Sequence, residues 1–418
     1  MARHSTTHCT RLSMARRLAY PAMLGWVFLT MSQAATATAT LDDTFMPYVG
    51  ASIFYDSNLL RLSNSVTPQE VAGKSSTSDL IKQVTAGLNM DYKISQQHLM
   101  LKANVNQNWF SNFTSLDYVG HDILTEWKWQ ASSKVNGEIG YSNKAMLGSF
   151  AQLNRLIGNV VTTQNYFING DYQIIPDWHL RGDLERKSNS YSSVAQQIGN
   201  TIEDTAEVGL RHFNQNNTLL GLRMLIAYGS YPDRTYTIGD TLDNSYTRYN
   251  YNLDWEWHYS VKTKVDGFIG YTQQSYPHVT ARDFSGITGR GNLQWDITGK
   301  TVLLLTGWRQ ISQANNLESS FMLREGAKLT PYWIASPKVK LSLPTSYEQQ
   351  QYLGNNGQTI SGAYSEVDNV FLVGLNLSYN PLNNTELSLL VQHEGRSSNN
   401  LLRNYQDQSA GLNMQVQF

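Results

Sequence analysis

Apolar and polar residues alternate along most of this chain. From Tyr249 to Tyr259 every odd position is apolar or aromatic and every even position is polar. The same period of two runs through Leu99 to Asn106, Ile287 to Ile297 and, less strictly, Phe371 to Tyr379. A period of two marks a strand with one apolar and one polar face. The chain also ends this way. Ala410, Leu412, Met414, Val416 and Phe418 share one face, and Gly411, Asn413, Gln415 and Gln417 share the other. Amphipathic segments of about ten residues suit tilted strands that cross a bilayer, with apolar residues toward lipid and polar residues toward a lumen.

The connections alternate in length as well. Short turns are predicted near 95–97, 132–133, 176–177, 215–217, 260–261, 299–300, 336–337 and 382–384. Longer polar loops are predicted near 56–78, 111–120, 148–162, 188–201, 230–245, 275–284, 312–318, 353–366 and 397–403. Eight turns and nine loops join about eighteen strands and leave both termini on the short-turn, periplasmic side. The predicted fold class is all-β: a transmembrane antiparallel up-and-down β-barrel of about 18 strands, within a range of 16–20. A soluble sandwich or propeller would also show many strands, but would not need this alternation of loop length or a terminal aromatic.

The amino terminus agrees with this reading. Met14-Ala15-Arg16-Arg17-Leu18 opens a basic segment, a mostly apolar run follows to Met31, and small residues follow from Ala34 to Ala39. This is the layout of a secretory signal, with cleavage near Ala35, Ala37 or Ala39. The expected organisation is residues 1–39 as signal peptide, with Met14 as an alternative start, and residues 40–418 as an outer-membrane β-barrel. The expected location is the bacterial outer membrane, with Phe418 as the signal for the assembly machinery. Cys9, the only cysteine, falls in the leader, which removes disulfides, thiolate catalysis and cysteine metal sites from the mature chain.

Parity divides the remaining residues by chemistry. Trp109, Trp127, Trp178, Trp257, Trp295, Trp308 and Trp333 are among the aromatics assigned to the outward face, where amphipathic rings anchor the membrane interface. Carbohydrate stacking is the minor alternative for them. The other parity carries charges, and Arg181, Arg211, Arg223, Arg248, Glu256, Arg290, Arg309, Arg324 and Lys328 are the expected lumen-lining residues. They read either as a hydrated, cross-bridged wall or as a basic track, one interrupted by Asp254, Glu256, Asp266 and Asp296. The segment 56–78 and the loop 148–162 are candidates to fold inward as constrictions.

Catalytic signals are sparse. The histidines that follow the leader are scattered, with no HExxH pair. His393-Glu394 near Ser397 and Ser398 reads as polar wall and loop. Gly286 to Gly291 lies within an alternating strand with no helix after it, unlike a phosphate loop. No enzymatic activity, metal or cofactor is expected. Lys and Arg total 32 against 33 Asp and Glu, and the leader contributes only basic residues, so the mature chain is net acidic. Binding to nucleic acid through a basic surface is not expected.

The segment from Asp42 to Leu62, above all Asp56-Ser57-Asn58-Leu59-Leu60-Arg61, resembles the start of the EpsL family of outer-membrane barrels from exopolysaccharide gene clusters. The motif residues are Asp56, Asn58, Leu59, Leu60 and Arg61. The resemblance implies a channel for export of a secreted exopolysaccharide. The partners would then be outer-membrane lipid, the exopolysaccharide chain, the outer-membrane assembly machinery and periplasmic polysaccharide export proteins. The alternative is a structural, adhesive or general-diffusion barrel with no role in polymer export.

Overall fold

The computed structural model describes residues 44–151, 155–214, 218–238, 240, 242–313, 321–353 and 366–418, so the predicted leader lies outside the described residues. The strands form one antiparallel sheet that closes on itself. The first, β1 (Phe45–Asp56), pairs with β2 (Asp79–Ile94) on one side and with the last, β19 (Tyr405–Gln417), on the other. Nineteen strands occupy eighteen positions in the wall. β15 (Val339–Ser342) and β16 (Thr345–Leu353) are two halves of one crossing, and both lie between β14 (Phe321–Ser336) and β17 (Val367–Leu382). Leu343-Pro344 separates them, because proline has no N–H to give to the ladder.

Among the described connections, turn and loop lengths alternate as the sequence predicts; the turn at 215–217 and most of the loops at 312–318 and 353–366 lie outside the described residues. Ile94 pairs with Gln97 and Ile175 with Trp178, leaving two-residue turns. Ser95 (φ 54°) and Asp177 (φ 70°) take the left-handed backbone that tight hairpins demand. Both described chain ends lie at the short-turn end, where the Phe418 N–H donates to the Pro47 carbonyl (2.8 Å).

The wall has the two faces that its sequence requires. Val49, Ile53, Leu184, Leu222, Ile287 and Leu412 are exposed on the outside. Aromatics flank this apolar zone at both ends. Tyr92, Trp127, Trp178, Trp257, Trp295, Trp333 and Tyr379 stand toward the short turns, and Tyr55, Trp109, Tyr166, Tyr228 and Tyr347 toward the loops. An apolar band between two aromatic girdles is the outer surface of a bacterial outer-membrane barrel, and that is where this chain resides.

One strand departs from the expected parity. In β13 (Thr301–Gln313), Arg309 is exposed on the same face as Leu305 and pairs with Glu325, so it does not line the lumen. Trp308 correspondingly faces inward, donating from Nε1 to Glu348 Oε2 (2.9 Å). Its ring lies where a Cβ on Gly326 would stand, so a glycine on the neighbouring strand makes the bed for the indole. The run Leu303-Leu304-Leu305 hides the alternation here, and a tryptophan by itself suggests the girdle.

Deleting Phe418 should lower the yield of folded, heat-modifiable barrel, because the closing strand loses its terminal aromatic and its bond to Pro47. Gel mobility of unheated membrane extracts measures this. Unchanged yield would show that Phe418 has no part in assembly.

Candidate channel lumen and outer-mouth constriction

The first outer loop, residues 57–78, turns into the barrel. Its Leu59, Leu60 and Leu62 are buried against the wall residues Phe54, Ile81, Phe110 and Leu390. Phe113 and Leu116 from the next loop and Phe150 from the loop after β5 (Val135–Leu147) complete the cluster. Leu59 and Leu60 are each 0% exposed, and full burial of a leucine is worth about 1.5–3 kcal/mol. Both segments expected to fold inward therefore contribute to one apolar body inside the loop end of the lumen. Residues 152–154 of the second segment lie outside the described residues.

A polar knot fixes this body to the wall. Arg61 donates to Asp56 (Nη1, 2.9 Å), forms an ion pair with Asp407 Oδ2 (3.2 Å) and stands 3.8 Å from Glu394 Oε1. Burial opposes its charge, but Asp56, Glu394 and Asp407 outweigh that cost and hold the guanidinium above its ordinary range. Asn58 bonds at both ends of its amide. Its Nδ2 donates to the Leu62 and Gln406 carbonyls (2.8 and 3.1 Å), and its Oδ1 accepts from the Leu62 N–H (3.0 Å). The Asn58 N–H donates to Asp56 and Asp407 (2.8 and 3.1 Å). Arg61 sits at φ 55°, a conformation that non-glycine residues seldom adopt, and these bonds hold it there. The motif Asp56, Asn58, Leu59, Leu60 and Arg61 is thus a loop anchor. The other inward loop has its own tie, since Arg396 Nη1 donates to the Ala151 carbonyl (2.6 Å).

The rim carries a second device that sequence reading missed. An Asp or Asn stands at the head of several descending strands and accepts from loop N–H groups. Asp79 accepts from Asn112 and Phe113 (both 2.9 Å), and Asp117 from Phe110 (2.7 Å). Asn159 accepts from Ser193, Asn200 from Tyr191, Asp243 from His278 and Val279, and Asp283 from Tyr276. Buried backbone donors need partners, and these side chains supply them. The recurrence of Asp or Asn just before several of the predicted descending strands was the available signal.

Below the knot, most of the expected lumen residues are cross-bridged. Arg223 bridges Glu207 and Asp254 (3.1 and 2.8 Å), and Arg248 meets Glu203 (2.8 Å). Arg211 reaches Asp171 (3.2 Å), Arg181 reaches Asp183 (3.4 Å) and Glu256 accepts Lys264 (2.7 Å). Arg324 forms a two-pronged bond to Glu348 (2.9 and 2.8 Å). Arg290 and Lys328 differ: no ion pair reaches either among the described residues. His393 and Glu394 serve no joint chemistry, since Glu394 accepts from the Tyr405 hydroxyl and faces Arg61. Residues 286–291 lie within β12 (Phe284–Thr298).

Residues 255–418 match the family described as "Putative beta-barrel porin 2". No curated protein sequence matches the chain. Among solved structures, the outer membrane protein OpdK from Pseudomonas aeruginosa is 11% identical, with 91% of this chain and 100% of that chain covered and a TM-score of 0.49. A BenF-like porin from Pseudomonas fluorescens Pf-5 is 9% identical over 89% of this chain and 98% of that one, with a TM-score of 0.49. OccAB3 from Acinetobacter baumannii is 9% identical over 90% and 99%, with a TM-score of 0.47. The likeness to these three is too distant to carry any residue across. The resemblance to the EpsL family is overturned, because the family model that matches is that of a porin. With its closed, lipid-facing wall, the chain is a porin-like outer-membrane β-barrel.

The knot can be tested by removing its cation. Arg61→Ala leaves Asp56 and Asp407 buried side by side, and breaking a buried pair costs about 3–5 kcal/mol. The loop should undock while the barrel stays folded. With no cysteine after Cys9, Ser63→Cys, at 5% exposure, gives a single reporter within the barrel. Its maleimide labelling should rise roughly a hundredfold or more in the Arg61→Ala background. Equal labelling in both backgrounds would mean that packing alone holds the loop.

Proposed function

We propose that this protein is a passive, porin-like channel for small hydrophilic solutes, narrowed at its outer mouth by the loop 57–78. The observation that carries this reading is the combination of a closed eighteen-position wall with a polar inner face. Barrels of roughly 16–18 strands are wide enough to leave an aqueous path. The inward apolar body then sets how much of that path is open. Polymer export, which rested on the overturned resemblance, is not part of this reading.

Arg290 and Lys328 are the residues through which the wall would select by charge. Most of the cationic side chains around them are neutralised by a carboxylate within the wall. These two project on the inner parity of β12 and β14, the crossings on either side of β13, opposite Trp308 and Thr306. A lumen with two such cations outside ion-pair reach of a carboxylate favours anions at that level.

Planar-bilayer recording tests both statements. Wild-type protein should show small, steady conductance, and replacing residues 62–76 by a short Gly-Ser linker should enlarge it severalfold. The double variant Arg290→Ala, Lys328→Ala should shift the zero-current potential toward cation preference, whereas Arg309→Ala should not. Silence from both the wild type and the loop-deleted barrel would reject the channel.

A further inference from the structure

Eight acidic residues are counted as buried among the described residues: Asp56, Asp79, Asp171, Asp243, Glu348, Asp368, Glu386 and Asp407. Six of them face an arginine or a histidine within ion-pair reach. Asp79 instead accepts three backbone N–H groups. Glu386 is the exception. It is 8% exposed, and its Oε1 accepts from the Ser378 hydroxyl (2.9 Å). Its Oε2 is buried with no hydrogen-bonding protein partner, and no ion pair reaches it among the described residues.

Its surroundings are oxygen-rich. Glu386 heads β18 (Thr385–Ser398) at the short-turn end and pairs in register with Gln415 of β19. Together with Asn380, Asn384, Thr385, Gln415 and Gln417 it lines one small cavity. The Asn380 Oδ1 is a second buried acceptor without a protein partner. None of these lining residues carries a positive charge. Lys338, on the neighbouring turn, spends its ammonium on the Pro381 carbonyl (2.9 Å).

We propose that this end of the barrel seam binds a divalent cation, calcium by preference, through Glu386 Oε2 and the amide oxygens beside it. A buried, uncompensated carboxylate is costly, and a cation is the direct remedy. The donors are carboxylate, amide and hydroxyl oxygens, the hard ligands that calcium and magnesium accept. Calcium tolerates irregular geometry and neutral carbonyl oxygens, whereas magnesium demands a near-octahedral set and keeps its waters. One carboxylate places the site in the weak class, with Kd around 10⁻⁴–10⁻³ M. Its position gives it a task. The Gln417 N–H donates to the Asn384 carbonyl (2.8 Å), and Asn384 Nδ2 returns a bond to the Gln417 carbonyl (3.1 Å). A cation on Glu386 would brace the end of the strand that closes the barrel.

The test uses the whole mature barrel in detergent, stripped with EDTA and then given calcium chloride. Equilibrium dialysis with radioactive calcium should find one ion per barrel, with Kd about 0.1–1 mM. Calcium should also raise the temperature at which the barrel loses its heat-modifiable mobility. Glu386→Gln should abolish both effects. In EDTA it should be at least as heat-resistant as wild type, since it removes the uncompensated charge. Equal binding by wild type and Glu386→Gln, or a midpoint that calcium does not move, would overturn the proposal. Equal retention and stabilisation by magnesium would overturn the calcium preference.

Discussion

A backbone that crosses lipid has no water to satisfy its N–H and C=O groups, so a sheet can do so only by closing. In this chain the closure is the pairing of β1 with β19, from Tyr48 opposite Gln417 to Asp56 opposite Ser409. The rest of the molecule is organised around that constraint. Closure makes one face of every strand meet lipid and the other a lumen, and it determines which charges have to meet one another across the wall. The loops at the outer rim face the same demand in a smaller volume. Those that fold inward bury backbone donors, and the aspartates and asparagines at the strand heads, Asp79, Asp117 and Asp243 among them, accept from those donors.

An apolar loop inside a polar lumen needs more than contact area to stay in one place. Leu59 and Leu60 supply the area, but apolar burial is non-directional and would tolerate several seatings of the loop. The knot of Arg61 with Asp56, Asp407 and Glu394 admits one seating, because each displaced alternative leaves a buried charge uncompensated. Much of its contribution is therefore to register rather than to net stability. A buried ion pair roughly breaks even against a well-packed apolar replacement, yet losing one partner is expensive.

The barrel was legible because its signals are local. Period two along Tyr249–Tyr259 and the alternation of short and long connections both lie within a few residues of one another in the chain. The inward course of 56–78 and 148–162 followed from length in the same way. What the sequence hid lies between distant positions. Arg61 and Asn58 meet partners on β18 and β19 more than three hundred residues away, so no window along the chain contains the knot. Read alone, Asp56 to Arg61 gave a family likeness, and its physical role emerged only from the contacts. Arg309 was placed in the lumen because a leucine run masked the parity of β13. Glu386 escaped notice for a related reason: a carboxylate is conspicuous only once all its neighbours are known to be uncharged.

The seam itself links closure to the mouth of the channel. Asp56 belongs to β1, while Asp407 and Glu394 belong to β19 and β18, so the acidic side of the knot exists only after the first and last strands have joined. Before that moment Arg61 lacks the two carboxylates from β18 and β19, and its left-handed backbone is held only by the bonds within residues 56–62. After it, Asp56 and Asp407 stand close enough to repel, and inserting Arg61 between them relieves that repulsion. Loop docking thus depends on a completed wall. The constriction as it stands therefore draws on the same seam that closes the wall.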